Sequence, residues 1–102
     1  MSSQGSPYAR FKRAIDTGNL LLIRGAAAEL PYVELHDALA ILPVIAEKEP
    51  AKYEKAACRW LARFALEEPV GLEEIRAALE ALERLPDHPP ARWLLGDLLA
   101  QG

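Results

Sequence analysis

Lys52-Tyr53-Glu54-Lys55-Ala56-Ala57-Cys58-Arg59-Trp60-Leu61-Ala62-Arg63-Phe64 is the stretch that decides the fold of this chain. At 100° per residue, Tyr53, Ala57, Trp60, Leu61 and Phe64 fall on one side of a helix. Lys52, Lys55, Arg59 and Arg63, with Lys48 just upstream, fall within a narrow arc on another side. The apolar stripe predicts a helix at the centre of a core. The charged stripe predicts a cationic ridge.

The flanking sequence reads as further helices. Ser6 and Pro7 form a helix start, Ser as cap and Pro at the first helical position. The helix they open runs to Thr17, and Gly18 suits a left-handed stop. Asn19 caps a second helix from Leu20 to about Glu29, and Pro31 ends it. A third segment runs from about Glu34 to Lys48. It contains Pro43, which removes an amide proton and predicts a kink or a break. Pro50 opens the central helix, which extends to about Glu67. Pro69, Val70 and Gly71 make a turn. Leu72 to Leu85 form a fifth helix, with Leu72, Ile75, Leu79 and Leu82 spaced for one face and Glu73 and Glu74 in the first turn. Asp87 caps a last helix reaching Ala100. No segment alternates apolar and polar residues as a strand does.

Short links make antiparallel neighbours. The predicted fold is therefore all-α: a compact bundle of about six short helices arranged as three helical hairpins, in one domain over residues 7–102. Residues 1–6 read as a disordered polar tail. Gly25, Ala26 and Ala28, with Ala56 and Ala57, predict close helix approach. Paired helices suggest tetratricopeptide arrays, but neither the 34-residue period nor its landmark residues recur, so that analogy is to architecture alone.

Composition narrows the class. Apolar residues make up 51% and charged residues 26% of the 102, as in ordinary globular proteins. The formal charge of −3 does not suit a polyanionic partner for the whole chain. Charge is uneven, however. Residues 1–28 hold Arg10, Lys12, Arg13 and Arg24 against Asp16, and the remainder is acidic. One cysteine permits no internal disulfide, which favours the cytoplasm for so small a domain. No apolar run is long enough to span a membrane. The opening Met-Ser-Ser-Gln-Gly-Ser lacks a signal peptide's apolar core.

Several segments carry a resemblance. Thr17-Gly18-Asn19-Leu20, Ala26-Ala27-Ala28-Glu29-Leu30-Pro31, Leu35-His36-Asp37-Ala38-Leu39, and Ala56 through Glu67 together resemble a group of short all-helical bacterial proteins from high-GC genomes, over roughly residues 8–95. The resemblance implies a helical fold and a soluble bacterial protein. It carries no active site across.

The candidate sites each have an ordinary alternative. The ridge Lys52, Lys55, Arg59 and Arg63 suits phosphates or an acidic protein face; the alternative is a solvated face paired with Glu54, Glu67 and other carboxylates. The first two helices around Gly18 have the outline of a helix-turn-helix, but the second offers only Arg24 to base edges and is apolar enough to belong in the core. His36, Asp37 and His88 lack metal-ligand spacing. Cys58, between the two stripes of its helix, suits a reactive thiol next to Arg59; the ordinary alternative, and the expectation, is a small buried apolar residue beside Ala57 and Trp60. Glu47, Glu49, Glu67, Glu68, Glu73 and Glu74 gather near helix ends, with nothing to separate their pKa values for acid–base work. There is no phosphate loop and no nucleophile elbow. Trp93, Leu94 and Leu98, with Leu95 and Leu99, make the last helix a core lid or a homodimer face.

The expected function is thus a small non-enzymatic helical adaptor, without cofactor or metal, acting through a protein partner or through self-association. The alternative is a nucleic-acid-associated regulatory factor that uses the basic ridge, with Arg10, Lys12 and Arg13 beside it if the first hairpin packs there.

Overall fold

The structure, a computed structural model, describes residues 6–87 and 95–99. The polar tail predicted for residues 1–6 therefore lies outside the described residues except for Ser6, as do His88, Trp93, Leu94 and the start of the last helix. The fold is all-α, with no strand among the described residues. Its helices are α1 (Pro7–Thr17), α2 (Leu20–Ala27), α3 (Leu35–Lys48), α4 (Pro50–Glu67) and α5 (Leu72–Arg84), and residues 95–99 are also helical. The chain divides into two units, Met1–Glu34 and Leu35–Gly102.

The first unit is a helical hairpin. The Ser6 hydroxyl accepts from the Ala9 amide at 3.0 Å and caps α1. Gly18 stands at φ +68°, the left-handed conformation in which a side chain is strained, and its amide donates to the Ile15 carbonyl. Asn19 Oδ1 then accepts from the Leu21 and Leu22 amides, so only Gly18 and Asn19 separate α2 from α1. Phe11, Ala14, Leu20 and Ile23 are buried. The sequence places α2 in the core, and it is the Leu20 and Ile23 stripe of that helix that is buried. Leu21 is 79% exposed and Leu22 is also exposed. An eight-residue helix buries one stripe, and the two leucines between Leu20 and Ile23 point elsewhere. Gly25 does not serve close packing either, since a Cβ there would meet nothing within 4 Å.

The second unit is built around α4. Tyr53, Ala57, Trp60 and Phe64 are buried, with Leu61 packed at the margin, as the spacing predicts. Trp60 and Phe64 stack with ring centroids 5.3 Å apart and planes 12° from parallel. Leu35, Leu39 and Leu42 of α3 join the same cluster, as do Ala78, Ala81 and Leu82 of α5, followed by Leu85 and Leu95. The predicted break at Pro43 does not occur, and α3 is continuous through it. Pro43 leaves the Leu39 carbonyl without its helical donor. Burial of Leu39 and Leu42 before it, and of Ile45 and Ala46 beside the cluster after it, outweighs that loss.

The buried face of α5 also differs from the expected one. Leu72 is 82% exposed and Leu79 is 44% exposed, while Ala78, Ala81, Leu82 and Leu85 are buried. The helix is turned so that its alanines meet the cluster and two of its leucines stay outside. A Trp60→Ala variant removes half of the ring stack and leaves a cavity among α3, α4 and α5. It is expected to lose about 3–5 kcal/mol of stability. A calorimetric melt within a few degrees of wild type would contradict this placement.

Candidate functional site

Helix α4 is tied to its neighbours by two side-chain hydrogen bonds to backbone. Trp60 Nε1 donates to the Leu35 carbonyl at 2.9 Å, at the first residue of α3. The Tyr53 hydroxyl donates to the Leu82 carbonyl at 2.6 Å, near the end of α5. The second bond has a reason in the sequence. The helical partner of the Leu82 carbonyl would be the amide of residue 86, and that residue is Pro86, which has none. Tyr53 supplies the missing donor. Its burial, which disfavours the phenolate, pushes its pKa from 10.0 up to about 12.

Beside Tyr53 the two helices part and leave a groove of about 480 Å³. Ala57, Leu61 and Leu82 form its apolar floor, Leu79 lies partly open at its edge, and Glu54 of α4 and Glu83 of α5 stand on its two sides. Cys58 lines it too. The expectation of a buried thiol is overturned, for Cys58 is exposed. On α4 it lies beyond Leu61, on the far side of the apolar stripe from Trp60, where the groove opens to solvent. Sequence reasoning missed this groove. Its one local signal was the surplus of leucines on α5, more than a single buried stripe requires.

The cationic ridge is partly neutralised. Lys52 reaches Glu49 at 3.6 Å, and Arg63 Nε reaches Glu67 at 2.8 Å with a second bond from Nη2. Lys48, Lys55 and Arg59 are exposed and have no ion pair among the described residues. The pairing with Glu67 follows the sequence alternative; that with Glu54 does not form. His36 is exposed at the start of α3, and Asp37 beside it is buried. Leu98 and Leu99 pack on the core cluster, and Leu95 is wholly buried, so these residues of the candidate dimer face turn inward. Trp93 and Leu94 lie outside the described residues.

The first unit has its own open surface, where Arg10, Arg13, Leu21, Leu22, Gly25 and Ala26 line a shallow depression. Arg10 is paired with Glu29 across it. No group of three or more His, Cys, Asp or Glu among the described residues is placed to hold a metal ion. No described helix is long and apolar enough to cross a membrane.

No protein-family model matches this chain, and neither does any curated protein or solved structure.

The Tyr53 hydroxyl gives a pH dependence with a definite sign. Below pH 10 the folded and unfolded chains both hold the phenolic proton, and the contribution is complete. Between pH 10 and about 12 the unfolded chain loses the proton while the folded chain keeps it, so stability falls as pH rises. Tyr53→Phe is expected to be less stable at neutral pH by about 1–3 kcal/mol, because the Leu82 carbonyl loses its donor. Denaturant titrations across pH 9–12 should show wild type converging on the variant. Parallel curves would mean that Tyr53 titrates alike in both states.

Proposed function

We propose that this chain is a small helical binding protein that acts by contact with another protein, with the α4/α5 groove as its docking surface. The observation that supports this is the groove itself. Leu79 lies partly open above a floor of Ala57, Leu61 and Leu82, between two helices that the Tyr53 bond ties together. A preformed apolar groove of this kind accepts side chains at little reorganisation cost. The lone cysteine fits a reducing compartment, which supports a cytoplasmic setting. Nucleic acid is the weaker alternative. Lys52 and Arg63 already serve Glu49 and Glu67, so the ridge offers fewer charges to a phosphate track than its spacing suggested.

Affinity capture from the cells that make the protein tests this. Immobilised wild type is expected to retain a protein partner that Leu79→Glu loses, while Leu21→Glu, altered on the first unit, retains it. Both positions are exposed, so both variants should melt close to wild type. Capture that is indifferent to Leu79→Glu would contradict the docking surface. Retention of nucleic acid that falls steeply with salt would favour the ridge.

A further inference from the structure

We propose that the α4/α5 groove takes a basic amphipathic helix of a partner protein, an inference that rests on the docking surface above and names its occupant. The apolar floor calls for an apolar stripe. The rims set the charge. Glu54 stands on the α4 side and Glu83 on the α5 side, both exposed. Neither carboxylate has an ion pair or hydrogen bond among the described residues. Two uncompensated carboxylates flanking an apolar floor favour a ligand with cations on both edges of its apolar stripe.

The basic ridge of α4 does not cancel that field. At 100° per residue, Arg59 lies roughly 100° or more around the helix from every groove-lining residue of α4, while Lys55 lies roughly 60° from Cys58 at the open edge of the groove and roughly 100° or more from Glu54, Ala57 and Leu61. Arg59 faces away from the groove, and Lys55 stands outside its Cys58 edge, on the side away from Glu83. The first unit offers no such asymmetry, because there Arg10 and Glu29 already pair across the depression.

Dimensions set the form of the occupant. On α4 the lining runs from Tyr53 to Leu61, roughly 12 Å at 1.5 Å per residue, or a little over two helical turns. A partner helix laid along it would seat apolar side chains three or four positions apart, a helix-in-groove mode. Lysines or arginines on either flank would then reach Glu54 and Glu83.

The test uses three synthetic peptides with the same leucine stripe. One is flanked by lysines and one by glutamates. The third is the lysine peptide with a proline at its centre, which breaks the helix. Binding is read by fluorescence anisotropy of the labelled peptide. Occupancy of the groove is read by the alkylation rate of Cys58, the chain's one thiol, which lines it. The lysine helix is expected to bind at least about tenfold more tightly than either other peptide, to slow Cys58 alkylation, and to weaken as salt screens the rims. The Glu54→Lys/Glu83→Lys double variant, altered only at exposed positions, should reverse the preference between lysine and glutamate peptides.

Equal or tighter binding of the glutamate helix would overturn the charge assignment while leaving the groove as a docking surface. Equal binding of the proline peptide would overturn the helical occupant. Binding without protection of Cys58, or no binding by any peptide, would overturn the inference as a whole. Failure of the docking surface itself is a separate result, read in the Leu79→Glu capture.

Discussion

Two side chains of one helix hold the backbone of two others, and the second unit depends on that arrangement. Trp60 Nε1 reaches the carbonyl that opens α3, and the Tyr53 hydroxyl reaches a carbonyl that closes α5. Both bonds are buried, where a hydrogen bond is expensive to leave unmade. Each also fixes direction. Apolar contact alone would let α3 and α5 slide or turn against α4, because the hydrophobic effect has no preferred angle. The stacked rings of Trp60 and Phe64 fill the space among the three helices, and the two bonds fix how α3 and α5 lie on that filling.

The groove follows from the same constraint. With Tyr53 anchored to the Leu82 carbonyl, α5 presents Ala78, Ala81 and Leu82 to the cluster, with Leu85 just beyond its end. Small residues on that face let the helix come near, and Leu79 is carried outward to the groove. Pro86 contributes twice. It leaves the Leu82 carbonyl open to Tyr53, and it lines the end of the groove. The groove and the core lock are therefore parts of one piece of packing.

Much of this was legible in the sequence, and the exceptions have a common cause. The caps at Ser6 and Asn19 and the stop at Gly18 are local chemistry, decided by residues a few positions apart. The stripe of α4 was legible because five apolar residues, Tyr53, Ala57, Trp60, Leu61 and Phe64, and a run of cations leave only one way to orient the helix. For α5 two stripes were available, one of leucines and isoleucine and one of alanines and leucines. Hydrophobicity alone favours the larger residues. The structure buries the second stripe, Ala78, Ala81 and Leu82, because α5 is seated on α4 with the Leu82 carbonyl at the Tyr53 hydroxyl, a relation between helices that the sequence of α5 alone does not state. The exposure of Cys58 and the continuity of α3 through Pro43 are likewise set by neighbouring helices. Asp37 is buried for reasons that its position in a first turn did not announce.

Hydrogen exchange at the Trp60 indole tests the central claim most directly. If Trp60 Nε1–H is bonded to the Leu35 carbonyl inside the core, it exchanges only when the unit opens. Its protection should then match that of the slowest backbone amides of α4, and it should fall with theirs in denaturant. An indole proton that exchanges orders of magnitude faster than those amides would show that the ring is not held there. The account of α4 as the element that fixes α3 and α5 would then fail.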